Sequence, residues 1–291
     1  MSVLSLMNSP APPGVGASCV RKRFPHHTCD ACRQVCPVQA ITFTVNAVML
    51  DDASCIRCGH CLFACPVDAL ENVNVAQRKY RDTSLVAPFT TQAAGVDELL
   101  MWHIQYGIRA VELNIDEYPD WALAVAALNI RLKALNEPLW QVIPPVSGRV
   151  NVFRRHLLRV NEERVRSGRV KASQRLRRNV WQAYGEHQLS LNESLCILCG
   201  GCERVCEEKA ITFTGKEMVL SSSACTGCNN CAIACPTKAI KTQAKVGICE
   251  VVSVGYLRRI CSGCQREFPT FNPDDKQCPI CQRHEYGMRG R

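Results

Sequence analysis

Two distant segments of the chain show the same alternation of apolar and polar residues. Residues 40–44 read Ala-Ile-Thr-Phe-Thr, and residues 210–214 have the same five residues. Alternation with a period of two is typical of a strand with one buried face, so each segment is predicted to form a strand, followed by a turn and a second strand. The same pattern at two places indicates an internal repeat.

The chain between these segments has a different pattern, in which short apolar runs alternate with helical periodicity. Strands are predicted at residues 84–88, 109–115 and 138–143, and helices at residues 96–106 and 121–135. This β-α-β-α-β order favours a small parallel sheet with right-handed crossovers. We interpret residues 80–145 as an α/β scaffold or docking domain, because they contain no glycine-rich phosphate-binding motif. Within it, His103 is predicted to be a structural histidine at the boundary of the core rather than a catalytic one, and Trp102 and Trp121 are predicted to pack.

Composition places the chain among globular proteins and marks cysteine as its unusual residue. A length of 291 residues suggests about two domains, each long enough to bury a core. A composition of 47% hydrophobic and 21% charged residues is that of a globular protein. Of the 21 cysteines, nearly all fall in tight Cys-x-x-Cys clusters, which indicates metal binding rather than a disulfide framework. Residues 1–18 lack the features of a secretory signal and are predicted to be flexible, and no apolar run is long enough to span a bilayer. We therefore expect a cytoplasmic protein without a transmembrane segment.

The cysteines repeat with the same offset as the strands. A shift of 170 positions places Cys29, Cys32 and Cys36 on Cys199, Cys202 and Cys206, and the four cysteines of residues 55–65 on those of residues 225–235. The spacing Cys-x2-Cys-x2-Cys-x3-Cys is complete at residues 55–65, 196–206 and 225–235, and proline follows Cys65 and Cys235. Two copies of one module are therefore predicted, at residues 19–75 and 187–245.

This spacing resembles that of the bacterial two-cluster ferredoxins. The resemblance implies two [4Fe–4S] clusters in each module with crossed ligation, in which three close cysteines bind one cluster and the fourth binds the other. The ligand sets implied for the second module are Cys196, Cys199, Cys202 with Cys235, and Cys225, Cys228, Cys231 with Cys206. In the first module, Cys55, Cys58 and Cys61 would bind one cluster with Cys36, while Cys29, Cys32 and Cys65 would bind the other. A double zinc site is the alternative, but it leaves the third and fourth cysteines of each run unexplained.

The first module lacks one cysteine at the position where the second module has Cys196. Residue 26 is histidine, and Cys19 stands ten positions before Cys29. Thiolate is the better iron–sulfur ligand, so Cys19 is the predicted fourth ligand. Two alternatives remain open at this point: His26 binds iron through a ring nitrogen, or the site has three cysteines and loses an iron. His26 and His27 otherwise form a solvated pair in a loop.

Positive charge is concentrated in one segment. Residues 148–178 contain ten arginines and one lysine against two glutamates, a balance that equals the formal charge of +9 for the whole chain. We interpret residues 146–186 as a linker of mostly helical composition. It is either a solvated spacer or a docking site for an acidic protein partner, while nucleic acid is a less favoured partner.

The C-terminal tail, residues 246–291, contains a four-cysteine set, Cys261-x2-Cys264 and Cys278-x2-Cys281. It resembles a zinc ribbon, in which a tetrahedral metal site replaces a core that a short segment cannot supply. A rubredoxin-like single iron is the alternative, but Gln265 and Gln282 stand where rubredoxins have glycine. Cys249, alone in the apolar run 246–254, is predicted to be a buried strand residue.

The fold class predicted for the chain is α+β, with two ferredoxin-like modules, an inserted α/β domain and a four-cysteine metal ribbon. The resemblance implies an electron carrier without substrate chemistry of its own, which serves a molybdopterin oxidoreductase, a hydrogenase or a related enzyme. The rival interpretation is a redox-sensing or enzyme-assembly factor that recognises protein or nucleic acid through the arginine-rich segment and the ribbon.

Overall fold

The computed structural model describes residues 12–24, 26–44, 47–145 and 165–285. The chain divides into two compact units, Met1–Val180 and Trp181–Arg291. Among the helices in these ranges, none combines the length and the apolar character that a bilayer span requires.

The first cysteine-rich module consists of two antiparallel strand pairs and three short helices. Its elements are β1 (Gly14–Val15), α1 (Val20–Arg23), α2 (Ala31–Gln34), β2 (Ile41–Phe43), β3 (Val48–Leu50), α3 (His60–Ala64) and β4 (Leu70–Glu71). The predicted strand at residues 40–44 is present as β2, which pairs with β3. The prediction of a flexible lead-in is wrong for Gly14 and Val15, whose backbone pairs with β4. Residues 1–11 lie outside the described residues.

The α/β insert of the same unit has a five-stranded sheet. Its elements are β5 (Arg78–Arg81), β6 (Ser84–Val86), α4 (Val96–Gln105), β7 (Ala110–Glu112), α5 (Pro119–Ala134), β8 (Gln141–Ile143), β9 (Arg166–Gly168) and α6 (Gln174–Val180). The strand order is β8-β7-β6-β5-β9, and β6, β7 and β8 are parallel, in the predicted β-α-β-α-β order. Strand β5 pairs in antiparallel fashion with both β6 and the edge strand β9.

The described part of the arginine-rich segment is only partly helical, whereas its composition predicts a mostly helical linker. Arg166–Gly168 forms the edge strand β9, so the helical prediction is wrong there, although α6 is helical as predicted. One arginine of α6, Arg177, is buried and donates to Asp97 of α4 at 2.9 Å. Residues 146–164 of the predicted linker lie outside the described ranges.

The core of the insert forms between the sheet and the helices α4 and α5. Trp102 and Trp121 are fully buried, as predicted, together with leucines of both helices. His103 is also buried rather than at a boundary. Its Nδ1 accepts a hydrogen bond from Trp140 Nε1 at 3.0 Å, and burial lowers the pKa of His103. Its other ring nitrogen, Nε2, lies 3.4 Å from a carboxylate oxygen of Glu137, so both nitrogens of His103 have partners within the insert, as a structural histidine requires.

The second unit contains the repeated module and the tail. Its elements are β10 (Tyr184–Leu191), α7 (Gly201–Val205), β11 (Ile211–Phe213), β12 (Glu217–Ser221), α8 (Asn230–Ala234), β13 (Ile240–Ile248), β14 (Val251–Gly255), β15 (Leu257–Ile260), β16 (Glu267–Thr270) and α9 (Pro279–Glu285). The long strands β10 and β13 pair with each other, and β12 pairs with both β11 and β14. Ile211, Met218 and Leu220 form the centre of the core.

Two predictions about residues 246–254 are wrong, because this apolar run is not one strand. The chain passes from β13 in one sheet to β14 in another, and Cys249 lies in the short connection between them. Cys249 is half-buried rather than buried, and its thiol donates to the carbonyl of Gln182 at 3.3 Å. Because β14 pairs with β12, the module extends to Gly255 and the tail begins later than the predicted residue 246.

Candidate metal centres

The backbone bends in the same way at the second cysteine of each complete cysteine run. The residues on both sides of that cysteine have φ between +48° and +80°; they are Arg57 and Gly59, Leu198 and Gly200, and Gly227 and Asn229. A left-handed conformation costs an ordinary residue about 1–2 kcal/mol, so local preference does not explain Arg57 or Leu198. The bend instead directs the side chains of the first three cysteines of the run toward the same space. The incomplete first run departs from this pattern, since Asp30 after Cys29 has φ −134°.

The fourth cysteine of every run is held by a second shared turn. Cys36, Cys65, Cys206 and Cys235 each accept a hydrogen bond from the backbone N–H of the alanine four residues later, at 3.2–3.3 Å. The residue before each alanine has φ between +50° and +56°. An N–H group directed at sulfur stabilises a thiolate, which is the form that binds metals.

Four cysteines of the first module line one cavity, and Cys19 is among them. Cys19, Cys29, Cys32 and Cys65 face this space together with apolar residues that include Phe43 and Val48. Cys19 is brought there by the preceding short strand and by α1, which begins immediately after it.

The side chain of Arg21 fixes α1 over the loop that carries Cys29. Its Nη1 donates to the carbonyl oxygens of His27 at 3.2 Å and Cys29 at 3.4 Å, and its guanidinium lies 4.3 Å from the centre of the Phe43 ring. His26 is exposed, and His27 is buried rather than solvated. His27 Nδ1 accepts the backbone N–H of Cys29 at 3.0 Å, so this histidine supports the loop.

The second module contains the equivalent cavity. It is lined by Cys196, Cys199, Cys202 and Cys235. Phe213 and Met218 are among the other residues that line it, 170 positions after Phe43 and Val48. The same apolar frame thus surrounds four thiols in both modules, although Cys19 and Cys196 reach it from different places in the sequence.

The remaining cysteines form a second group in each module. Burial raises the pKa of Cys58, and the negative charges of Cys36 and Cys55 add to this effect. In the second module, burial raises the pKa of Cys225 to about 12, and the charges of Cys231, Cys228 and Cys206 act in the same direction. The fourth cysteine of one run therefore lies among the first three of the other run.

Burial and mutual repulsion make these thiols poor acids in the absence of a cation. Burial raises the pKa of Cys32, Cys61 and Cys202 to about 12, and neighbouring cysteine charges contribute to each. Four thiolates in an apolar cavity require several positive charges to balance them, and the iron ions of a cluster supply such charge. The donor set, the apolar lining and the N–H groups directed at sulfur all fit an iron–sulfur cluster.

The four cysteines of the tail form a separate group. The sulfur atoms of Cys261, Cys264, Cys278 and Cys281 all lie within 4.8 Å of one another. The strands β15 and β16 pair as a hairpin and place the first two cysteines at its end, while α9 carries Cys281. The backbone N–H groups of Cys278 and Cys264 lower the pKa of Cys261 to about 6, which favours its thiolate.

Several residues that hold the cysteine loops in place are not metal ligands, so a sequence search for ligand residues does not find them. The alanine that follows each fourth cysteine by four positions is visible in the sequence as a repeated Cys-x3-Ala, at residues 36–40, 65–69, 206–210 and 235–239. Arg21 and His27 have no such signal, because their partners are backbone groups brought near by the loop.

Comparison with known families identifies the two modules. Residues 27–80 and residues 190–242 each match a family model described as a 4Fe-4S dicluster domain. Both modules are ferredoxin-like. The match to the first ferredoxin-like module begins after Cys19 and His26, whereas the match to the second includes Cys196.

Short stretches of the chain are similar to individual proteins. The chain is 49% identical over 47 residues to formate hydrogenlyase subunit 2 of Escherichia coli, an alignment that covers 16% of this chain and 23% of that protein. It is 47% identical over 45 residues to the formate dehydrogenase iron-sulfur subunit of Wolinella succinogenes, covering 15% and 22%. It is 32% identical over 73 residues to an uncharacterized ferredoxin of Methanocaldococcus jannaschii, covering 24% and 48%. The chain thus spans less than half the length of each relative.

Proposed function

We propose that this protein is an electron carrier with up to four [4Fe–4S] clusters, which relays electrons to or from a partner oxidoreductase. The ligand sets, named after their first members, are the Cys19 site (Cys19, Cys29, Cys32, Cys65), the Cys55 site (Cys55, Cys58, Cys61, Cys36), the Cys196 site (Cys196, Cys199, Cys202, Cys235) and the Cys225 site (Cys225, Cys228, Cys231, Cys206). Each cluster supplies one-electron transfer when bound. The protein supplies the thiolates, the N–H groups directed at sulfur and an apolar surrounding.

The observation that carries this proposal is the grouping of cysteines from separate runs. Cys65 lines the cavity of Cys29 and Cys32, and Cys235 lines that of Cys196 and Cys199. Zinc sites built from two Cys-x-x-Cys pairs need no such exchange between runs, whereas two neighbouring clusters do.

Cys19 is the proposed fourth ligand of its site. It lines the cavity of the other three thiols, and Arg21 anchors its helix to the Cys29 loop. The nine residues between Cys19 and Cys29 cost little more closure entropy than two, because that cost rises only logarithmically with loop length. His26 is exposed, which favours the cysteine.

For the tail we propose a structural zinc ion on Cys261, Cys264, Cys278 and Cys281. The sulfur atoms are already grouped, and the hairpin with one short helix has only a small core of its own. Gln265 stands where rubredoxins have glycine, and it has a φ of +59°, a left-handed conformation that glycine adopts without strain. A single iron is the other metal that four thiolates accept.

The proposed partner is an oxidoreductase with an acidic docking surface. Two of the relatives are subunits of formate hydrogenlyase and formate dehydrogenase, which supports a multi-subunit enzyme as the partner. In the described part of the arginine-rich segment, Arg166, Arg169 and Lys171 are exposed. Complementary charge there would raise the rate of encounter more than the affinity.

A potentiometric titration under anaerobic conditions tests the function. We expect the full chain to take up electrons reversibly from reduced methyl viologen, with midpoints inside the range of about −700 to +450 mV open to such clusters. Electron paramagnetic resonance spectra recorded through one reduction and reoxidation cycle provide the measurement. Loss of the clusters on reduction, or a redox-dependent change in affinity for duplex DNA without electron exchange, would favour the sensing function instead.

A further inference from the structure

The turns that follow Cys65 and Cys235 share one backbone geometry. Asp68 and Lys238 have φ of +50° and +56°, and the next alanine N–H lies 3.2 Å from the sulfur in each turn. The alanine N–H therefore contributes a similar electrostatic stabilisation to both thiolates. Three further features of the two sites differ in side chains and exposure.

The first difference is a hydroxyl group. Thr237 Oγ1 lies 3.5 Å from Cys235 Sγ, and a metal-bound thiolate carries no proton, so the hydroxyl is the donor. The equivalent residue 170 positions earlier is Val67, whose buried side chain cannot donate. A hydrogen bond to a ligand sulfur stabilises the more negative state of a cluster.

The second difference is the charge of the next residue. Asp68 occupies the position of Lys238, and its carboxylate is held in place by Ser173 Oγ at 2.8 Å and the backbone N–H of Gln174 at 3.3 Å. A fixed negative charge near Cys65 opposes the addition of an electron, whereas the residue at the same place in the second site is an exposed lysine that carries no such negative charge.

The third difference is exposure to solvent. Cys65 is only 8% exposed, while Cys235 is half-buried and Cys199 of the same site is exposed. Water stabilises added charge better than a protein interior does, so exposure acts in the same direction as the first two differences.

From these three differences we propose that the two modules are redox-inequivalent: the cluster of the Cys196 site has a higher reduction potential than the cluster of the Cys19 site. This inference rests on the proposed function, since it assumes clusters at both sites. Of these two clusters, the one in the Cys196 site holds an added electron more favourably, and the one in the Cys19 site is the stronger reductant. Thr237 and Val67 contribute to this order at matched positions.

The test uses Thr237→Val and Val67→Thr in the full chain, each of which gives one module the side chain of the other. Iron and sulfide are measured first, and each midpoint is then determined by titration followed by electron paramagnetic resonance. We expect Thr237→Val to shift one midpoint to lower potential and Val67→Thr to shift a different midpoint to higher potential. In the wild type, the midpoint affected by Thr237→Val should be the higher of the two. Thr212→Val, in strand β11, is the matched control and should shift none.

Two results separate the failure of this inference from that of the proposed function. Fully loaded variants with unchanged midpoints, or a wild-type order opposite to the expected one, would overturn the inference and leave the carrier function standing. Wild-type protein without iron and sulfide would overturn the proposed function, and the inference with it.

Discussion

Replacing Cys19 by serine is expected to damage the cluster of one site selectively, so that the iron content falls from about sixteen atoms per chain to about fifteen if a three-iron cluster stays, or to about twelve if the cluster is lost. Cys19 lines the cavity of Cys29, Cys32 and Cys65, and these three thiols alone leave one iron of a cubane without a protein ligand. Iron and acid-labile sulfide analysis of anaerobically reconstituted protein, together with spectra of the reduced state, provides the measurement.

Two variants control this experiment. His26→Ala removes an exposed imidazole and should keep all the iron, and Cys249→Ser removes a thiol that belongs to none of the four sites. The assignment would be overturned if Cys19→Ser kept every four-iron signal while His26→Ala lost one. In that case a histidine ligand should also raise the midpoint of one cluster.

Replacing Arg78 by methionine is expected to cost about 3–5 kcal/mol of the free energy of unfolding of the first unit. Arg78 forms a two-point ion pair with Glu98, whose side chain is completely buried, and its guanidinium lies 4.7 Å from the centre of the Trp121 ring. Methionine fills most of the space but leaves the carboxylate of Glu98 buried without its partner. Urea unfolding followed by tryptophan fluorescence reports on this, because Trp102, Trp121 and Trp140 all lie in the insert.

The double variant Arg78→Met with Glu98→Leu should recover most of the lost stability, since an apolar pair of similar volume often replaces a buried ion pair without loss. Arg258→Ala breaks an exposed ion pair with Glu267 and should have little effect. Equal stability of Arg78→Met and wild type would show that the buried pair does not stabilise this unit.

The sequence predicted the elements whose pattern is local. The repeated strand appears as β2 and β11, and the alternation of apolar runs predicted the parallel strands β6, β7 and β8. In β2 the alternation coincides with burial of one face, whereas the short apolar run of β7 is buried along its whole length. In the second module, Cys196, Cys199, Cys202 and Cys235 line one cavity, and their role as the ligands of one cluster stays a prediction from the resemblance.

The elements that the sequence missed are those that depend on distant partners. Strand β9 has the sequence Arg-Ser-Gly, which carries no apolar alternation, and it forms because it pairs with β5 at the sheet edge. The run around Cys249 appeared as one strand because periodicity does not show that a chain changes sheets. His27 looked solvated because its buried partner is a backbone N–H that only the folded loop presents.

Anaerobic analysis of iron, sulfide and zinc in the intact protein tests the central claim most directly. Four [4Fe–4S] clusters and one structural zinc predict about sixteen iron atoms, an equal number of sulfides and one zinc per chain. About eight iron atoms would contradict the four-cluster account, and a content of zinc alone would show that the grouped thiols hold mononuclear sites.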